Sequence, residues 1–190
     1  MPEITQLSTT IVYQTPWMRV REDGIAYPDG STGVYSVLEK PDFALVIPYE
    51  NEGFWLVEQF RYAVGQRCWE FPQGGWPPEH SPDRDAGVHH AEDGRGSMAE
   101  LATAELAEET GFSAGSLIEL GRLFAAYGYC GQSFHIFLAT DLTAGEPHRE
   151  ASEQDMVHQW FPEADLRKMI KSGELADAHS VAALALFDAR

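Results

Sequence analysis

The stretch Ala104-Glu105-Leu106-Ala107-Glu108-Glu109-Thr110-Gly111-Phe112 constrains this chain more than any other. Ala, Leu and Glu are good helix formers, and Gly111 sits where a helix-ending glycine belongs. On a 3.6-residue period Glu105, Glu108 and Glu109 stand at i, i+3 and i+4 and share one face. Like charges at that spacing repel by roughly 0.2–0.5 kcal/mol per pair. A solvated acidic face tolerates that cost. A divalent cation between the carboxylates turns it into a gain, and hard oxygen ligands suit Mg²⁺ or Mn²⁺.

The start of the helix is equally legible. Ser97-Met98-Ala99-Glu100 is a capping box, in which the serine accepts from a backbone N–H and the glutamate reaches back. Upstream, residues 76–96 are polar and rich in Pro and Gly, which reads as a long loop. Strand-like runs cover 11–21, 33–39, 43–49 and 54–60. Pro28-Asp29-Gly30-Ser31 and Asn51-Glu52-Gly53 supply turns. Cys68 to Pro72 reads as a short strand ending in Gly74-Gly75. Residues 117–126, 133–141 and 156–161 read as strands, and 143–154 as a polar loop. Helices are expected over 162–172 and 178–189, separated by Gly173. Mixed strands with two or three helices predict an α+β fold rather than a doubly wound sheet.

The formal net charge of −17 over 190 residues excludes a nucleic-acid binder that relies on a basic surface. An anionic small molecule binds such a chain only with local help from arginines or metal ions. No run approaches about 18 uninterrupted apolar residues, so no membrane partner is expected. The N-terminus lacks a signal-peptide pattern. Cys68 and Cys130 are two and far apart, which argues against a disulfide framework and for a cytoplasmic setting.

These residues resemble a Nudix hydrolase. The second half of that family's box reads Arg-Glu-aliphatic-any-Glu-Glu-any-Gly-aliphatic, and Ala104–Phe112 matches it apart from the arginine. Gly74 or Gly75 stands for the opening glycine. Gly96 occupies the place of the box's first glutamate, after an inserted segment. Pro16–Asp23, Val57-Glu58-Gln59-Phe60-Arg61-Tyr62, Trp69-Glu70-Phe71-Pro72 and Asp177-Ala178-His179-Ser180 resemble the ADP-ribose pyrophosphatase branch, so the likeness runs from about residue 16 to 188.

The resemblance implies an α+β Nudix fold: a mixed sheet sandwiched between helices, with an N-terminal antiparallel strand extension. It implies a boundary near residue 40, with 1–40 as an extension that can form a homodimer and 41–190 as the hydrolase domain. The implied reaction is metal-dependent hydrolysis of ADP-ribose or a related nucleoside diphosphate sugar into two monophosphates. A triphosphate house-cleaning hydrolase and a non-catalytic nucleotide-binding module are the alternatives. Glu105, Glu108 and Glu109 are implied metal ligands, for Mg²⁺ or Mn²⁺. Glu153 is the implied catalytic base, with Glu108 as a further catalytic carboxylate and Glu150 and Asp155 behind Glu153. Arg61 and Glu70 are the implied substrate-binding residues, against a surface ion pair for Arg61. Arg95 is a candidate replacement for the missing box arginine. Trp17, Tyr62 and Phe124 can stack on a base, although packing in a core or interface is the simpler reading. His89-His90 reads as loop rather than a metal site, and Cys130 as a buried thiol.

Overall fold

The computed structural model describes residues 3–76, 96–149 and 153–190. Arg95, His89, His90 and Glu150 lie outside the described residues, as does nearly all of the 76–96 segment. The chain divides into two units.

The first unit holds β1 (Thr5–Gln14), β2 (Arg19–Ala26) and β3 (Thr32–Glu39), which form an antiparallel sheet in that order. The run read from sequence as one strand over 11–21 is therefore two. Thr15-Pro16-Trp17-Met18 turns between them, closed by Thr15 N–H donating to the Met18 carbonyl at 2.9 Å. Pro16 explains the break, because a proline cannot donate within a ladder. The 28–31 turn forms as expected, with Asp29 Oδ1 accepting from Ser31 N–H at 2.9 Å. On this sheet Arg19 and Arg21 share the Glu39 carboxylate, and Arg21 also pairs with Asp23. The 124–133 segment of the same unit meets β3, where Leu38 N–H donates to the Tyr129 carbonyl at 2.8 Å. Cys130 is buried here.

The second unit is built on β4 (Phe43–Glu50), whose residues Phe43 to Pro48 are all buried. A strand apolar on both faces needs cover on both. Helices α1 (Met98–Thr110) and α3 (Ala178–Asp188) pack on it. Beside it run β5 (Gly53–Arg61), β6 (Gln66–Glu70), β7 (Gln73–Gly74), β8 (Ser113–Phe124), β9 (Ser133–Thr143) and β10 (Val157–Pro162). The principal order is β10-β5-β4-β9-β8, with β4 and β9 parallel and the β5 neighbours antiparallel, so the sheet is mixed. Helix α2 (Glu163–Ser172) lies against β10 and β5.

Two local features position the site. Asn51 and Glu52 both take positive φ (52° and 57°), the geometry of a two-residue hairpin turn whose twist suits flanking strands. After that turn β4 stays with β5 only through Tyr49↔Phe54 and Glu50↔Gly53, then pairs with β7 through Ala44↔Gly74 and Leu45↔Gln73. The exchange brings residues 71–75 into the middle of the sheet. The strand expected over 68–72 is shifted to 66–70, because it pairs with β5 from Arg61↔Gln66 to Val57↔Glu70 and Pro72 lies past its end.

Candidate active site

Helix α1 begins and ends as its sequence dictates. Ser97 Oγ accepts from Glu100 N–H at 3.2 Å, and Glu100 Oε2 accepts from Ser97 N–H at 2.6 Å. Gly111 takes φ +81°, and a Cβ there would meet the Gly145 carbonyl oxygen at 2.5 Å. The glycine is required both for backbone conformation and for the close approach of the 144–149 segment.

That segment is fastened to the end of α1. His148 N–H donates to the Glu108 carbonyl at 3.0 Å and Arg149 Nε to the Glu109 carbonyl at 3.1 Å. No basic residue occupies the helix's own last turn, so Arg149 supplies the positive charge that the C-terminal carbonyls favour. Its Nη2 lies 3.1 Å from His158 Nδ1, and burial followed by the Arg149 charge lowers the His158 pKa. Sequence reasoning missed Arg149, because a lone arginine in a polar loop carries no pattern.

Of the three helix glutamates, Glu109 is buried and Glu105 and Glu108 are half-buried. Glu109 Oε2 accepts from Gln73 N–H at 3.2 Å, whereas Oε1 is buried without a hydrogen-bond partner among the described residues. Burial, then the charges of Glu105, Glu153 and Glu70, push the Glu109 pKa well above the ordinary carboxylate value, with Arg61 opposing. Glu153, half-buried, lies near enough for its charge to act on Glu109. Asp155 is engaged elsewhere, paired with Arg67 at 2.6 Å.

Glu105 leans on β7. A Cβ on Gly74 would come within 2.4 Å of both Glu105 carboxylate oxygens, so only glycine leaves them that space. Across the site Arg61, at the end of β5, grips Glu70 with two contacts, Nη2–Oε1 at 2.7 Å and Nε–Oε2 at 3.2 Å. The Arg61 side chain is 41% exposed while that of Glu70 is 4% exposed. The pair is therefore neither a surface ion pair nor sealed, and the outer face of the guanidinium keeps donors for an anion. Burial raises the Glu70 pKa, and Arg61 pulls it back. Asp177 caps α3, accepting from Ser180 N–H at 2.9 Å and Ser180 Oγ at 2.7 Å. Burial alone would raise its pKa, but hydrogen bonds from His179 and Ser180 overcome that and hold it well below the ordinary value. Trp17, Tyr62 and Phe124 are all exposed, so none packs in a core.

The donors gathered here are hard carboxylate oxygens. A buried carboxylate with one oxygen unpartnered, in the field of three others, fits a divalent cation. Among the described residues no three of His, Cys, Asp or Glu close around a single point as a full cage. A Mg²⁺ ion needs no such cage, because carboxylates share it with water and substrate phosphates.

A profile of nucleoside diphosphate sugar hydrolase N-terminal domains matches residues 4–38. The chain is 27% identical over 170 residues to an ADP-ribose pyrophosphatase of Mycobacterium tuberculosis, an alignment covering 86% of this chain and 72% of the relative. It is 25% identical over 164 residues to an ADP-ribose pyrophosphatase of Bacillus subtilis, covering 85% of this chain and 80% of that protein. A solved structure described as an ADP compounds hydrolase superposes with a TM-score of 0.80 at 21% identity, over 98% of this chain and 92% of the other, which shows a shared fold. The NUDIX domain profile matches residues 39–184, spanning the strand exchange, the capped acidic helix and the Arg61–Glu70 pair, and the chain belongs to the Nudix family of hydrolases.

Proposed function

We propose that this Nudix hydrolase cleaves the pyrophosphate bond of ADP-ribose or a related nucleoside diphosphate sugar, giving two monophosphates, with Mg²⁺ or Mn²⁺ as cofactor. The observation that carries the reading is buried Glu109, its Oε1 unpartnered among the described residues, in the field of Glu105, Glu153 and Glu70. The N-terminal profile match and the names of the two relatives support the substrate class.

Glu105, Glu108 and Glu109 would share the cation with water and substrate phosphates, and it would supply charge neutralisation and Lewis acidity at the pyrophosphate. Arg61 binds a substrate phosphate with the donors that Glu70 leaves free, and Glu70 fixes the guanidinium plane. Glu153 accepts the proton of the attacking water, with Glu108 as the other candidate carboxylate. The water oxygen bonds to one phosphorus and the bridging P–O bond breaks. Residues 1–40 form an extension that pairs two copies, and 41–190 carry the chemistry in the cytoplasm. The exposed strand β1 supports that pairing.

The test is a substrate panel with Mg²⁺ or Mn²⁺: ADP-ribose, GDP-mannose, UDP-glucose, dinucleotides and nucleoside triphosphates, scored by phosphate released on phosphatase treatment. Turnover of ADP-ribose or another diphosphate sugar is expected. Turnover of triphosphates alone, or of nothing in the panel, overturns the reading.

A further inference from the structure

One side chain ties the separate parts of the site together, and nothing in its sequence context marks it. Gln73 lies on β7, in the segment that β4 admits when it leaves β5. Its backbone N–H holds Glu109 Oε2. Its side-chain nitrogen donates to Glu70 Oε2 at 3.1 Å and to Asp177 Oδ2 at 3.1 Å. An amide has two N–H donors, and both are committed.

The bonds run in series. Asp177 is fixed at the N-terminus of α3 by the backbone and hydroxyl of Ser180. Ser180 Oγ itself accepts from Phe71 N–H at 2.8 Å, which ties the start of α3 to the segment carrying Gln73. Gln73 passes that anchorage to Glu70, and Glu70 holds both contacted edges of the Arg61 guanidinium. Glu70 and Asp177 are like charges facing a single nitrogen. Without the amide between them they repel, and Glu70 is freed to turn away from Arg61.

We propose that Gln73 is a positioning residue whose side-chain amide bridges Glu70 and Asp177 and so sets the orientation in which Arg61 meets a substrate phosphate. This rests on the phosphate-binding role given to Arg61 above. A residue needed only for packing would be replaced without loss by methionine, which has the same length and no donor. A bridge would not.

The experiment is a double-mutant cycle of Gln73→Met and Arg61→Ala, read as the KM for ADP-ribose and as calorimetric affinity for ADP-ribose in EDTA. Gln73→Met should raise KM by about tenfold with kcat within about twofold and Tm nearly unchanged. In the Arg61→Ala background the same substitution should add nothing further. Gln73→Asn keeps an amide that is too short to span both carboxylates, and it should fall between wild type and Gln73→Met. Unchanged KM and affinity in Gln73→Met overturn the proposal, and so does an equal loss with and without Arg61. A wild-type protein that binds ADP-ribose in EDTA but turns over no diphosphate sugar when Mg²⁺ or Mn²⁺ is supplied overturns the hydrolase reading alone, because the affinity cycle still decides the role of Gln73.

Discussion

At the scale of single residues, Glu109 carries the most information. It is a buried acid with one oxygen unpartnered among the described residues, repelled by Glu105, Glu153 and Glu70. Such a group costs stability unless a cation joins it. Glu109→Gln should therefore reduce turnover by at least about a hundredfold. Measured in EDTA, its Tm should equal or exceed that of wild type. A variant that loses activity only because it unfolds will show the opposite Tm shift. Asp177 behaves in the reverse sense. Its folded-state pKa is depressed, so its stabilisation is complete above the unfolded value of about 3.9 and is lost as pH falls below it. Asp177→Ala should cost about 1–2 kcal/mol near pH 7, the range for losing a helix cap. In denaturant titrations the gap between wild type and variant should narrow progressively below about pH 4. The acidic trio was legible because three glutamates on one helix face repeat a spacing. Arg61 and Glu70 were legible only through the family likeness. Gln73 and Arg149 were not legible, since their roles arise from partners 104 and 40 residues away in sequence.

At the scale of elements, what was readable was what neighbours in sequence decide. The capping box, the Gly111 and Gly173 stops and the Asn51-Glu52 turn depend on residues a few positions apart, and each formed. The single strand expected over 11–21 failed because strand-forming composition outweighed Pro16. The exchange of β5 for β7 along β4 could not be read at all, since pairing partners are set by the packing of the whole sheet. That exchange nonetheless builds the site, because it presses Gly74 against α1. A methyl group at residue 74 would lie 2.4 Å from the Glu105 carboxylate oxygens. These are the far end of a flexible side chain, so the helix need not move, but the carboxylate must. Gly74→Ala should thus leave Tm within a few degrees of wild type while lowering kcat by about tenfold to a hundredfold, the cost typical of misplacing a catalytic group by about 1 Å. A large fall in Tm with normal specific activity would show that β7 shapes the fold and not the carboxylate.

At the scale of the molecule, charge and edge strands set what the chain can meet. A net charge of −17 opposes anionic ligands, and under the proposed function Arg61 and a bound cation offset it locally. No helix among the described residues is long and apolar enough to cross a membrane. The N-terminal sheet presents a different problem. β1 is an edge strand of ten residues with no charge, and every one of its residues is exposed. Leu7, Ile11, Val12 and Tyr13 lie along it in contact with solvent. A long uncharged edge bearing apolar side chains pairs with another chain unless it is covered, blunted by charge or broken by a bulge. Two register shifts interrupt its pairing with β2, but no lysine or proline guards the strand. A second copy of the chain supplies cover of the same composition, and two-fold pairing satisfies both edges at once. The protein should therefore elute with twice the mass of one chain in light-scattering chromatography. Leu7→Lys combined with Ile11→Lys places like charges on both copies of the edge, and it should yield monomers without disturbing the packing of the second unit, which near-UV circular dichroism will follow. A wild-type monomer, or a dimer that survives both lysines, would remove β1 as the pairing surface. Loss of ADP-ribose turnover on dissociation would place the partner's extension within reach of the site, whereas unchanged turnover would make pairing a matter of stability alone.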